Sequence, residues 1–190
     1  MRHPTIPAAG ALLLSACIGA QPEPIARPVP LVLPSFTVTA PAAPAWILTP
    51  GTARTQAAVR PIGESRTVVA FAGEEELTKP AENVEAELDR AVDEIRAGYD
   101  GGRHRLYAFS EAPDAPNCRN YRLTAEDSGV PDRQGRIYLV TALGRVCLYP
   151  ELALLARLEY SDRRLPDEPP LPSFDEEAEA FLGSLSVGQR

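Results

Sequence analysis

The sequence lacks most of the short motifs that accompany a cofactor or a catalytic nucleophile. It contains no G-x-x-x-x-G-K or G-x-G-x-x-G loop for phosphates, no D-x-D-x-D-G loop for calcium and no G-x-S-x-G turn. Lysine occurs once, at Lys79, and the formal net charge is −7. A general nucleic-acid-binding protein would carry a basic surface instead. We therefore expect no cofactor and no nucleic-acid partner.

The sequence also lacks an apolar run of membrane-spanning length. The most apolar stretch, residues 6–16, has about 11 residues, whereas a spanning helix needs about 20. It follows the positive charge of Arg2 and is interrupted only by Pro7 and Ser15. A short apolar segment after a positive N-terminus is typical of a secretory signal peptide.

The residues that end this stretch are Leu14-Ser15-Ala16-Cys17. They resemble the lipobox of bacterial lipoproteins. The resemblance implies that residues 1–16 are removed and that Cys17 becomes the first residue of the mature chain, acylated on its sulfur and its amine. Ile18 stands where an aspartate would indicate inner-membrane retention, so the resemblance implies an anchor at the periplasmic face of the outer membrane. The alternatives are an ordinary signal peptide with a chance cysteine, or a cytosolic tail.

Prolines interrupt the next segment at positions 22, 24, 28, 30, 34, 41, 44 and 50. Proline lacks the N–H group that a helix or a strand ladder requires, and its φ angle is fixed. We therefore predict a semi-rigid tether over residues 17–45 and one domain over residues 46–190, starting near Trp46. The alternative is that the segment forms a first strand of the domain.

Cysteine and histidine are too scarce for the usual zinc or thiol chemistry. Without Cys17, the mature chain has Cys118, Cys147 and one histidine, His104. In an exported protein two remaining cysteines usually form a disulfide, here between two predicted strands. The alternatives are a buried free thiol or a cysteine nucleophile. A triad of His104, Ser110 and Asp114 has no supporting motif, and we predict no metal site.

Hydrophobic periodicity predicts strands over residues 67–72, 106–109, 119–124, 136–142 and 146–149. One helix is predicted between Thr78 and Gly98, and another after a capping box at Ser173. Residues 150–160 fit either a helix or a strand, and their second half favours a strand. The predicted fold class is α+β: a small antiparallel sheet with two helices packed on one face, preceded by the proline-rich tether.

Arginines and tyrosines alternate along several predicted strands and suggest an anion- or glycan-binding face. Its candidates are Arg103, Arg105, Tyr107, Arg119, Tyr121, Arg122 and Tyr138. The alternative is that these guanidinium groups neutralise the protein's own carboxylates.

Two classes of function remain. The first is a non-catalytic binding or accessory module of the cell envelope, whose partner is an envelope protein or a glycan. The second is a small hydrolase that uses two carboxyl groups, for example Glu126 and Asp127. A deep pocket with two carboxyl groups of raised pKa would favour the hydrolase.

Overall fold

The structure is a computed structural model that describes residues 27–129, 131 and 134–188. The signal segment, Cys17 and the first part of the predicted tether lie outside these residues. Neither helix in the described part of the chain is long and apolar enough to cross a membrane.

The described residues form ten strands and two helices. The strands are β1 (Arg27–Val32), β2 (Phe36–Ala43), β3 (Ile47–Thr52), β4 (Thr55–Ile62), β5 (Arg66–Glu76), β6 (His104–Pro113), β7 (Cys118–Asp127), β8 (Tyr138–Tyr149), β9 (Leu154–Arg164) and β10 (Ser186–Val187). The helices are α1 (Val84–Gly98) and α2 (Phe174–Gly183), and a 3-10 turn (Pro150–Leu152) joins β8 to β9.

A central antiparallel sheet of seven strands, in the order β3-β4-β5-β9-β8-β7-β6, separates two hydrophobic cores. Side chains alternate along each strand, so Leu155 of β9 packs in the core under α1, whereas Leu158 and Tyr160 pack on the other side. That other side is covered by α2 and by a three-stranded sheet in the order β1-β2-β10. Both faces of the central sheet are therefore partly covered.

The predicted α+β fold with two helices on one face is wrong. Helix α1 packs on β7 and β8, whereas α2 packs on the opposite face with β2 and β9. The reason is that the buried strands carry apolar residues at both alternating positions, so each face of the sheet needs its own cover. Strands dominate because residues 27–66, for which no strand was predicted, form four of them.

The predicted tether is wrong from Arg27 onward, because that part of the segment forms β1 and β2. Leu31 and Phe36 lie in the core at 0% and 2% exposure. The prolines are tolerated by their positions: Pro30 lies in an edge strand, and Pro41 lies in β2 beyond the residues that pair with β10. Burial of the intervening apolar side chains outweighs the local preference of proline for extended, unpaired chain.

The first helix begins later than predicted, at Val84 rather than near Thr78. The side-chain oxygen of Asn83 accepts a hydrogen bond from the backbone N–H of Ala86 at 3.1 Å and caps the helix. Strand β5 extends as far as Glu76, and residues 77–83, between this strand and the helix, form neither helix nor strand. The second helix is confirmed, and residues 154–164 form a strand as the alternation favoured.

The predicted disulfide between Cys118 and Cys147 is confirmed. The two residues are directly opposite each other in β7 and β8, with their Cα atoms 4.2 Å apart. The bond therefore joins the first residue of β7 to its neighbouring strand.

Candidate functional site

A buried carboxylate lies under the end of α1, where three hydrogen bonds hold it. Glu159 of β9 is 7% exposed. Its Oε1 accepts a hydrogen bond from the Tyr99 hydroxyl at 2.6 Å, and its Oε2 accepts one from the Tyr121 hydroxyl at 2.6 Å. Arg157 Nη2 also donates to Oε2, at 2.9 Å. We call these four residues the Glu159 network.

The path from Tyr121 to Glu159 crosses β8 at Gly144. Tyr121 in β7, Gly144 in β8 and Glu159 in β9 are directly opposite one another in register. A Cβ atom on Gly144 would lie 2.0 Å from Cζ of the Tyr121 ring. The ring therefore lies flat across β8 only because this position has no side chain.

The two tyrosines act as permanent hydrogen-bond donors. Burial raises the pKa of Tyr99 and of Tyr121, and the neighbouring charge of Glu159 raises both further. Phe109 stacks on Tyr121 with 6.0 Å between ring centres, and the guanidinium of Arg96 lies 4.6 Å from the Phe109 ring centre. The network is thus held on several sides by packed side chains.

A cavity of about 230 Å³ lies beside the network, between α1 and the strands β5, β8 and β9. Its apolar lining consists of Phe71, Ala91, Ile95, Val146 and Leu155. Arg157 contributes the cationic wall, with its guanidinium carbon 5.7 Å from the ring centre of Phe71. Pockets for drug-sized ligands have volumes of about 300–1,000 Å³, so this cavity suits a small apolar group or one side chain of a partner.

The acidic residues that line the cavity are ion-paired. Glu75 and Glu94 contact Arg90 at 3.4 Å and 2.7 Å, respectively, and Glu74 contacts Arg54 at 3.5 Å. Arg157 is paired with Glu159 inside the network. The cavity therefore combines an apolar lining with charges that already have partners.

Two other carboxylates, the buried Asp127 and the partly buried Glu177, have lowered pKa values. Burial acts to raise the pKa of Asp127, but hydrogen bonds from Arg163 Nε at 2.8 Å and from the backbone N–H of Gly129 lower it overall. Burial also acts to raise the pKa of Glu177 in α2, but hydrogen bonds from Tyr160, Ser173 and Arg60 lower it. Neither group is the protonated carboxyl that a general acid requires.

The predicted arginine–tyrosine face is not a single surface. Tyr121 lies buried on the α1 side of β7, where Arg119 pairs with Glu85 of α1 at 3.2 Å. Arg122 points to the opposite side and pairs with Asp175 of α2. The prediction grouped residues at odd and even positions of one strand. Side chains at successive positions point to opposite faces of the sheet, so these residues do not share a face.

The remaining candidates of that face are also engaged within the protein. Tyr138 is buried, and the guanidinium of Arg163 lies 3.5 Å from its ring centre. Arg103 contacts Asp127 at 3.4 Å. Arg105 lies over the ring of Tyr107, whose hydroxyl donates to Glu126, at the edge strand β6. These contacts agree with arginines that neutralise the protein's own carboxylates.

The structure does not assemble the triad of His104, Ser110 and Asp114. The His104 ring packs 4.9 Å from the ring of Tyr99, and Asp114 pairs with Arg145 at 2.9 Å. Among the described residues, no group of three or more His, Cys, Asp or Glu residues is placed to hold a metal ion.

Sequence reasoning missed three of the four members of the Glu159 network. A local signal existed for two of them, because Arg157 and Glu159 are opposite charges at i and i+2 within residues 154–160, which are otherwise apolar. No local pattern marks Tyr99 or the role of Gly144, since Tyr99 is placed by the packing of the end of α1 on the sheet and Gly144 by the register of β7, β8 and β9.

Comparison with known proteins relates the chain to others through its fold. No family model matches the sequence, and no curated protein is similar to it in sequence. The fold is similar to that of LpqN from Mycobacterium tuberculosis, a protein described as involved in cell envelope biogenesis. The TM-score is 0.51 and the identity 16%, and the alignment covers 86% of this chain and 91% of LpqN. The Saccharomyces cerevisiae Ran-binding protein Mog1p aligns with a TM-score of 0.49 and 8% identity, over 85% of this chain and 96% of Mog1p.

Proposed function

We propose that this protein is a lipid-anchored module of the cell envelope that binds a partner without catalysing a reaction. The lipobox resemblance at Leu14–Cys17 supports the anchor, and the periplasmic face of the outer membrane is the proposed location. The similarity in fold to LpqN, which is involved in cell envelope biogenesis, supports an envelope role.

The observation that carries the binding role is the cavity between α1 and the central sheet. Its lining combines apolar side chains with ion-paired acidic residues, and its cationic wall, Arg157, is held by Glu159. A preformed apolar recess with a fixed polar side is suited to binding, because little side-chain freedom is lost when it is filled. The bound group is a small apolar part of an envelope protein or a glycan.

The hydrolase alternative receives less support from the same residues. A hydrolase with two carboxyl groups needs one that is protonated near neutral pH. The pKa values of Asp127 and Glu177 are lowered instead. Glu126, the suggested partner of Asp127, points to the other side of β7 and accepts a hydrogen bond from Tyr107.

We expect Cys17→Ser to abolish lipidation and to release the protein from membranes. The serine hydroxyl cannot form the thioether that holds the diacyl chains, and without the chains no buried methylenes hold the protein. Labelling of cells with an alkyne analogue of palmitate, followed by fractionation, measures both effects. Equal labelling of the variant and the wild type would refute the anchor.

We expect a photocrosslinking residue at position 94 to capture an envelope partner in intact cells. Glu94 lines the cavity, whereas its neighbour Asp93 is equally exposed on α1 and is absent from the lining. Position 93 is therefore the matched control. The adduct at 94 should disappear in Thr55→Phe, because Thr55 lines the cavity and the larger side chain takes up its space.

Equal capture at positions 93 and 94, or capture that survives Thr55→Phe, would contradict a partner in the cavity. A melting curve of Thr55→Phe checks that the variant is folded. Thr55 is partly buried and lies at the start of β4, so only a small change in the melting temperature is expected.

A further inference from the structure

Two consecutive aliphatic residues, whose side chains project from opposite faces of an edge strand, are exposed at one corner of the molecule. Ile47 and Leu48, at the start of the edge strand β3, are 57% and 56% exposed. Ile47 stands opposite Val59, which in turn stands opposite Val69, so it extends a partly buried apolar row across three strands. Helix α1 packs mainly on β6, β7 and β8, away from this row.

Trp46, the residue before Ile47, packs against the domain and holds this corner in place. The Trp46 indole N–H donates to the carbonyl oxygen of Pro41 at 2.8 Å, and its ring packs edge-on against Tyr160 at 6.4 Å. The guanidinium of Arg60 lies 5.1 Å from the ring centre of Trp46. Ile47 and Leu48 are thus exposed on a part of the chain that Trp46 holds against the rest of the domain.

The first described residue of the chain lies at the same corner. Arg27 pairs with Ala43 in the small sheet, and Ala43 is separated from Ile47 only by residues 44–46. Residues 18–26 alone stand between Cys17 and Arg27. Even a fully extended chain of this length reaches about 35 Å, at about 3.5 Å per residue. A lipid at Cys17 therefore keeps Arg27 within about 35 Å of the membrane surface, so the corner can reach the bilayer.

We propose that the edge of β3, with Ile47 on one face and Leu48 on the other, enters the lipid interface of the membrane that carries the anchor, so that the domain docks on the bilayer by this corner. The proposal rests on the anchor at Cys17 in the proposed function. The driving force is burial of aliphatic surface. Of the basic residues at this end, Arg60 and Arg66 are ion-paired with Glu177 and Asp162, and Arg27 and Glu64 carry opposite charges, so anionic lipid is not required.

Pairing of β3 with a second copy is the competing use of this edge. Pro50 lies within β3 and has no N–H to donate, and the register of β3 with β4 shifts between Thr49 and Thr52. Both features protect an edge strand against pairing. Contact with the lipid surface is therefore favoured over pairing with a second copy of the chain.

The test uses residues 17–190, which contain every described element, with Cys17→Ser and an N-terminal hexahistidine tag. The tag binds the chain to phosphatidylcholine vesicles that contain a nickel-chelating lipid. Trp46 is the single tryptophan of the protein, and its fluorescence reports the environment of the corner. We expect vesicles with brominated acyl chains to quench Trp46 relative to plain vesicles, to a similar extent with and without phosphatidylglycerol.

The double variant Ile47→Ser/Leu48→Ser should lose this quenching, because each side chain contributes about tenfold to partitioning. Val32→Ser is the matched control, since Val32 is 55% exposed and lies at the far end of β1 from Arg27. Its quenching should equal that of the wild type. If the double variant does not fold, Ile47→Thr keeps a β-branched residue in the strand and still removes apolar surface.

An unquenched Trp46 in the wild type, or equal loss of quenching in Val32→Ser, would overturn the proposal. A dimer in solution that Ile47→Ser/Leu48→Ser dissociates would overturn it in favour of a second copy. The tag replaces the lipid, so failure of lipidation at Cys17 leaves this experiment intact. Failure of docking, in turn, leaves the palmitate labelling unaffected.

Discussion

Replacement of Gly144 by alanine is expected to lower the free energy of unfolding by about 3 kcal/mol and the melting temperature by about 10 °C. The new Cβ would lie 2.0 Å from a ring atom of Tyr121, which is 2% exposed and stacked on Phe109. The ring must therefore move within a close-packed core. Its hydroxyl then leaves Glu159, and the buried carboxylate loses one of its three hydrogen bonds.

Gly98→Ala is the matched control for this prediction. No atom lies within 4 Å of a Cβ atom built on Gly98, and the residue ends α1. Alanine should be neutral or slightly stabilising there, because it has the higher helix propensity. Thermal unfolding of both variants, repeated in a Tyr121→Leu background, measures the coupling. If Gly144→Ala costs the same with and without Tyr121, the ring does not explain the glycine.

Elements were predicted correctly where the segment follows a single hydrophobic periodicity. The apolar stripe that includes Leu88, Val92 and Ile95 predicted α1, and the alternation after Leu154 predicted β9. The strands at residues 27–43 were missed because their prolines oppose strand formation locally, whereas burial of Leu31 and Phe36 decides the outcome. Burial by distant residues is invisible to a local pattern.

The candidate site was harder to predict than the fold for a related reason. Glu159, Tyr121 and Tyr99 meet through the register of three strands and the end of a helix. Single-sequence periodicity assigns side chains to faces but does not align one strand with another. The charged pair Arg157–Glu159 indicated a polar position in the core, yet its partners lie 38 and 60 residues from Glu159 in sequence.

Loss of the Cys118–Cys147 bond is the other change with a large expected effect. The bond closes a loop with a sequence separation of 29 residues, so in the loop-entropy model it stabilises the fold by about 3.6 kcal/mol. Cys118→Ala, Cys147→Ala and the double variant should each lower the melting temperature by about 10 °C. The three should agree closely, because each removes the same bond.

The bond matters because the other backbone contacts of Cys118 are local ones, from its N–H to the Ala115 carbonyl oxygen at 2.9 Å and from the Asp114 N–H to the carbonyl oxygen of Cys118 at 3.4 Å. The preceding residues include Pro116, which has no N–H for a ladder. That segment is joined to β8 by the hydrogen bond from Leu148 N–H to the Asn117 carbonyl oxygen, at 2.8 Å, and by the ion pair of Asp114 with Arg145, at 2.9 Å. Reductant should lower the melting temperature of the wild type to that of the variants and leave the variants unchanged. A double variant as stable as the wild type would show that β7 is held without the disulfide, by its ladder with β8 and the packing of Tyr121.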